Sequence, residues 1–248
     1  MAFARWAAGL GHHLDPGGRI VYWIRMSKRN GPGIIRMIPI LVLVLCACAG
    51  QQAGKGRGAW QCSPSADAAF QSGDWQTALS GHEQLLASDP HNGLALYHLG
   101  YIMGHLGDRP REVALYREAL ACGYSTDDQL FFNLGMALGD LGDFEAACKA
   151  LQTAISLNPD NPDNYFGLGF AEQNLGRVDE ARKVFEQAVH LAPGHLEARL
   201  ALARLLINEE QWDEAVRHIA AVLAADPGNE EALELRHTLE SRKALQYQ

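Results

Sequence analysis

No hydrophobic run in this 248-residue chain is long enough to cross a bilayer. The most apolar stretch, Met37 to Ala47, is eleven residues without a charge; as a helix it would reach roughly 16 Å, about half the hydrocarbon core. Basic charge is also scarce. From Cys48 onward 15 Lys and Arg face 28 Asp and Glu, a net −13, and such a surface repels nucleic acid and anionic head groups. DNA or RNA binding is thereby excluded as a main role. The sequence carries no glycine-rich phosphate loop, no nucleophile elbow and no metal-binding helix pair, so the converging polar set that an enzyme needs is missing. Cys46-Ala47-Cys48 has neither the spacing nor the histidine for haem attachment.

What the apolar run does match is the h-region of an export signal. Lys28, Arg29 and Arg36 supply a basic n-region before it, and small residues follow. Residues 1–25 have no place in such a signal, which makes Met26 the expected start. Leu45-Cys46-Ala47-Cys48 resembles the lipobox of bacterial lipoproteins, an aliphatic, a variable and a small residue before the cysteine. The resemblance implies cleavage before Cys48 and diacylglycerol on its thiol, because Ala47 is small whereas Leu45 before Cys46 is not. Several acyl chains, at about 0.8 kcal/mol per buried CH₂, would hold the protein on a membrane. Ala49 is not acidic, so the resemblance favours the outer membrane, with the protein facing the periplasm of a cell envelope. Residues 48–58, rich in Gly and Gln, read as a flexible tether after the 1–47 signal region.

The remainder repeats itself with a period of 34. Leu134, Leu168 and Leu202 share a column, as do Gly135, Gly169 and Ala203, then Ala147, Ala181 and Ala215. Leu151, Phe185 and Ile219 form another, and Pro159, Pro193 and Pro227 close each unit. Phe131, Leu134, Gly135 and Leu138 have the i, i+3, i+4, i+7 spacing of a helical apolar stripe. The glycine and alanine columns remove bulk where helices must approach, and Gly142 and Gly176 suit a turn that needs positive φ. These columns resemble the tetratricopeptide repeat. The resemblance implies an all-α, right-handed solenoid of about five helix–turn–helix units, 59–92, 93–127, 128–161, 162–195 and 196–229, with 230–248 as capping helix and tail. In the first unit only Gly73-Asp74-Trp75, Ala78 and Asp89-Pro90 are clear, and its first helix, around Ser65 to Ser72, is short. In the second, Pro110 opens the second helix, Tyr124 replaces the closing proline, and Glu112 stands in a usually small column, which predicts a looser interface.

In this family the first helices line a concave groove that holds a partner segment. Its columns fall here on Tyr97, Phe132, Phe166 and Leu200 and, one turn on, Tyr101, Met136, Phe170 and Arg204. The second column commonly carries Asn, so Tyr101, Met136 and Phe170 imply a groove for apolar or aromatic side chains. The alternative is a superhelix that buries these rings within itself. Only Arg204 fits the carboxylate-clamp pattern, which disfavours the acidic tails of chaperones.

The other polar candidates are few. His98 and His105 lie seven apart with Asp108 following, and a metal there would need a third ligand from another repeat. They read as solvated or groove-lining histidines, and no metal or cofactor is expected. Cys122 shares a column with Leu157 and Leu191 and reads as a small buried hydrophobe; Cys62 and Cys148, two repeats apart, should not pair. The expected function is a non-catalytic, lipid-anchored scaffold for a protein or peptide partner, as in assembly of a pilus or outer-membrane complex. The rival is a self-assembling protein whose groove meets a second copy to make a homo-oligomer.

Overall fold

The computed structural model describes residues 10–14, 20–24, 60 and 63–246. The chain divides into two compact units, Met1–Ala59 and Trp60–Gln248. In the first, β1 (Leu10–Leu14) and β2 (Ile20–Ile24) pair antiparallel, Leu10 opposite Ile24 and Leu14 opposite Ile20. The run Ile20-Val21-Tyr22-Trp23-Ile24 is made of β-branched and aromatic strand formers. The all-α expectation therefore applies to the second unit, and the ribbon is an addition to it. Residues 25–47 of the proposed signal region, Cys48, the tether and Cys62 lie outside the described residues.

The second unit consists of five helix pairs and a last helix: α1 (Pro64–Ser72) and α2 (Trp75–Ser88), α3 (Gly93–His105) and α4 (Arg109–Ala121), α5 (Asp128–Asp140) and α6 (Phe144–Leu157), α7 (Pro162–Asn174) and α8 (Val178–Leu191), α9 (Leu196–Asn208) and α10 (Trp212–Ala225), then α11 (Glu230–Gln246). This is the all-α repeat array that the resemblance implies. Apart from α1, α8 and α10, the helices begin where an acceptor side chain can take up an orphan amide. Asn92 caps α3 through Ala95 N–H, Asp108 caps α4 through Arg111 N–H and Asp143 caps α6 through Ala146 N–H. Within each of the second to fourth pairs the chain turns through a glycine at positive φ, Gly107 at 84°, Gly142 at 82° and Gly176 at 76°. In the fifth pair Glu210 takes that position at φ 59°.

Close approach explains the glycine column. A Cβ at Gly135 would stand 2.6 Å from Leu151 Cγ, and one at Gly169 would stand 2.5 Å from Phe185 Cε1. Each large side chain thus fills the space its partner helix leaves bare. Two larger buried clusters hold the stack, one from Leu96 to Ala171 and one from Ala181 to Leu239, while a smaller cluster of Ala69, Ala78, Leu99, Ile102 and Met103 joins the first pair to the second. At the α6–α7 junction, Asp128 Oδ2 accepts hydrogen bonds from the side-chain amides of Asn158, Asn161 and Asn164 at 3.2, 3.1 and 3.2 Å.

The looser interface expected around Glu112 is not what the structure shows. Glu112 is 5% exposed; its Oε2 accepts a 2.7 Å hydrogen bond from Arg109 Nη1, and Arg109 Nε reaches Asp140 at 2.7 Å. Gly104 of α3 makes the room, so bulk removed from one helix is restored by the other.

Candidate functional site

The two expected groove columns lie on α3, α5, α7 and α9, and the structure sorts them into different environments. Tyr97 and Leu200 are 8% and 6% exposed and belong to the core rather than to a surface. Tyr97 stacks on Tyr124, ring centroids 5.5 Å apart, and its hydroxyl accepts from Asn133 Nδ2 at 3.3 Å. Burial, then the charge of Asp127, raise its phenol well above the usual range. Arg204 is exposed but pairs with Glu231 of α11, so its charge is engaged within the chain.

The remaining five, Tyr101, Phe132, Met136, Phe166 and Phe170, are half-buried. Phe132 and Met136 of α5 lie over α7. A Cβ on Gly167 would meet Leu151 Cδ2 at 2.8 Å, Met136 Sδ at 3.2 Å and Phe132 Cε2 at 3.4 Å. Phe166 sits between Phe185 and His195, at 5.9 and 5.1 Å. Phe170 meets Phe144 edge-on at 6.5 Å. Each apolar side chain thus packs one flank on a neighbour and keeps part of its surface open. Such a row accepts apolar side chains by burying more of the same surface.

At the other end of the array Tyr101 joins a ring cluster. Phe70, Trp75 and His105 surround it at 5.1, 6.1 and 4.7 Å, and His105 stacks on Trp75 at 4.4 Å. The pair His98 and His105 is thereby divided. His98 turns instead toward Asp67 of α1 and His82 of α2. Asp67 Oδ1 lies 3.6 Å from His98 Nδ1 and 3.9 Å from His82 Nε2. Burial lowers the His82 imidazole to about 4 and, with a smaller push from His82, the His98 imidazole to about 3, and raises the Asp67 carboxyl. Both rings are therefore neutral near pH 7.

Phe70, Trp75, His82 and Asp67 escape a reading of the sequence by groove columns alone. A signal for two of them was nevertheless there. His82 stands in the register of Tyr116, Leu151, Phe185 and Ile219, where a large hydrophobic residue belongs, and Asp67 in that of Tyr101, Met136 and Phe170.

The helix pairs, the small-against-large columns and the half-open row define an α-helical repeat array. Tetratricopeptide repeat families match residues 65–124 and 132–195 in one alignment and 175–237 in another. The chain belongs to the tetratricopeptide repeat family, whose domains bind protein or peptide partners and are typically non-catalytic. No curated protein sequence matches it. Among solved structures, MamA is 25% identical over 74% of this chain and 99% of its own, with a TM-score of 0.59. YrrB, a tetratricopeptide repeat protein with an unusual peptide-binding site, is 23% identical over 69% of this chain and 88% of its own, with a TM-score of 0.62. PilF of Pseudomonas aeruginosa is 21% identical over 71% and 84%, also with a TM-score of 0.62.

Proposed function

We propose that this chain is a non-catalytic scaffold that holds an apolar or aromatic segment of a partner protein along α3, α5 and α7, while a lipid on Cys48 confines it to a bacterial envelope membrane. The observation that supports the binding reading is the row of half-open side chains Tyr101, Phe132, Met136, Phe166 and Phe170 in a family built to present such rows. The lipid reading rests on the order basic, apolar, small, cysteine that ends at Cys48, and Ala49 favours the outer membrane with the array facing the periplasm. Anchoring would reduce the search for a membrane-bound partner to a surface, which suits assembly of an envelope machine such as a pilus or an outer-membrane complex.

The test compares three versions of the full-length chain expressed in a bacterium: unaltered, Cys48→Ala, and Phe132→Ala/Phe166→Ala/Phe170→Ala. The Cys48 variant should leave the membrane fraction, and unchanged fractionation would remove the lipid reading. The triple variant should stay folded and membrane-bound yet lose a partner that the unaltered chain retains in a crosslinked pull-down. Equal retention by both would move the search to the outer helices. Were the captured partner a second copy, with a mass that depends on concentration, the row would serve self-assembly.

A further inference from the structure

The first two repeats depart from the others at three places that converge in space. Asp67, His82 and His98 come from three helices, α1, α2 and α3, and each offers one ligand atom within 4.8 Å of the other two. The crossing that brings α1 against α2 depends on small residues, since a Cβ on Gly81 would stand 2.5 Å from Ala66 Cβ. Ala66 precedes Asp67 and Gly81 precedes His82, so the tight crossing itself sets the two side chains face to face.

Among the described residues, three ring nitrogens of this polar set have no hydrogen-bond partner. The His82 side chain is 1% exposed, yet neither of its ring nitrogens has a hydrogen-bond partner, and neither does His98 Nδ1. The ion-pair distances of Asp67 are to the two imidazoles alone among the described residues. Both exceed hydrogen-bond reach. A buried polar set of this kind costs stability unless something satisfies it. The register sharpens the point, because Leu151, Phe185 and Ile219 fill the position of His82 with apolar bulk at no such cost and Tyr116 fills it with a ring that carries one polar atom rather than two.

We propose that Asp67, His82 and His98 form a binding site for a divalent transition-metal ion of the zinc class, which clamps the first helix pair to the second. Two imidazole nitrogens and one carboxylate oxygen are the donors that suit such an ion, and three protein ligands leave a fourth position for water. Tetrahedral bonds of about 2.0–2.1 Å set ligand atoms roughly 3.3 Å apart, so seating an ion means closing pairs of 3.6 and 3.9 Å and a third pair within 4.8 Å, by about 1.5 Å at most. Phe70 stacks on His98 with centroids 4.4 Å apart and holds that ring in place. The side chains of His98 and Asp67 are 13% and 12% exposed, which leaves an entry path on their side while His82 closes the back. The ion would act structurally. The cluster that joins the first pair to the second is small, and a ligand bound only by the folded state adds stability by mass action.

The experiment uses the full-length chain after chelator dialysis, titrated with ZnCl2 by calorimetry and with CoCl2 by visible absorption. The expected result is one equivalent of Zn2+, a tetrahedral Co2+ spectrum displaced by Zn2+, and a thermal midpoint that rises with Zn2+. His82→Leu, which adopts the residue of Leu151 in the same register, should fold, lose the bound equivalent and lose the Zn2+-dependent rise. Asp67→Asn keeps the shape of the site and should weaken binding, whereas His105→Ala should leave it unchanged. An unaltered chain that takes up no Zn2+, or a folded His82→Leu chain that takes up as much, overturns the proposal. A His82→Leu chain more stable than the unaltered one both with and without Zn2+ also counts against it, by showing the histidine to be a cost that no ion offsets.

Discussion

The carboxyl carbon of Glu112 stands 2.6 Å from where a Cβ on Gly104 would be, and both carboxylate oxygens are as near. The two residues, on adjacent helices, divide a single volume between them. Gly104→Ala would force Glu112 away from Arg109, and Glu112 is buried with its carboxylate in a 2.7 Å hydrogen bond. Overpacking of this kind costs about 1–3 kcal/mol. Combining it with Glu112→Ala restores the small residue usual in that register, and Arg109 keeps Asp140. Urea unfolding of the two single variants and the double should therefore show the Gly104→Ala penalty largely disappear in the Glu112→Ala background. An equal penalty in both backgrounds would mean that the volumes are independent.

Glu210 holds φ 59° at the turn where the preceding repeats place glycine. An L-residue in the left-handed region costs roughly 1–2 kcal/mol, part of which glycine returns through the freedom it gains in the unfolded chain. Glu210→Gly should raise the thermal midpoint by about 2–4 °C. A lower midpoint would show that the side chain of Glu210 contributes more than its backbone costs.

His195 lies 3.2 Å from Asp163 through Nε2 and 3.3 Å from Glu197 through Nδ1. Burial would lower its pKa, but hydrogen bonds to and charges on the two carboxylates outweigh that and lift it to about 9. The same Nδ1 is 3.2 Å from the Ala198 amide, and a protonated ring has no lone pair to give it; between two carboxylates the charged ring is the favoured form. Between the unfolded value of 6.5 and 9 the folded protein holds more protons than the unfolded one, so stability falls as pH rises. The contribution is complete below pH 6.5 and lost through pH 9. His195→Asn keeps a capping oxygen and cannot charge. The stability difference between the two proteins, followed by urea unfolding from pH 6 to 10, should shrink with rising pH and do so less steeply in high salt. A difference that ignores pH would assign His195 to the cap alone.

Much of this architecture can be read from columns. Leu151 and Phe185 announce themselves against Gly135 and Gly169 because each contact recurs at a fixed offset of the sequence. What recurs can be recognised; what occurs once cannot be placed without geometry. Glu112 breaks its column, and only the structure shows Gly104 answering it. Tyr97 and Leu200 share columns with Phe132 and Phe166, yet their neighbours bury them, since exposure depends on what the adjacent repeat supplies. Asp67, His82 and His98 lie in three helices with no common spacing, and His98 is drawn to the first repeat rather than to His105. The ribbon β1–β2 has no counterpart in the repeat pattern at all.

The pairing of Arg204 with Glu231 bears on the geometry of recognition. Along the second groove register the residues run Asp67, Tyr101, Met136, Phe170, Arg204: a carboxyl group, three aromatic or thioether groups, a guanidinium. The carboxyl end faces two imidazoles, and the guanidinium end is already tied to the capping helix. If the proposed groove holds a segment along this row, that segment would meet unlike chemistry at its two termini, and reversing its sequence should not produce an equivalent ligand.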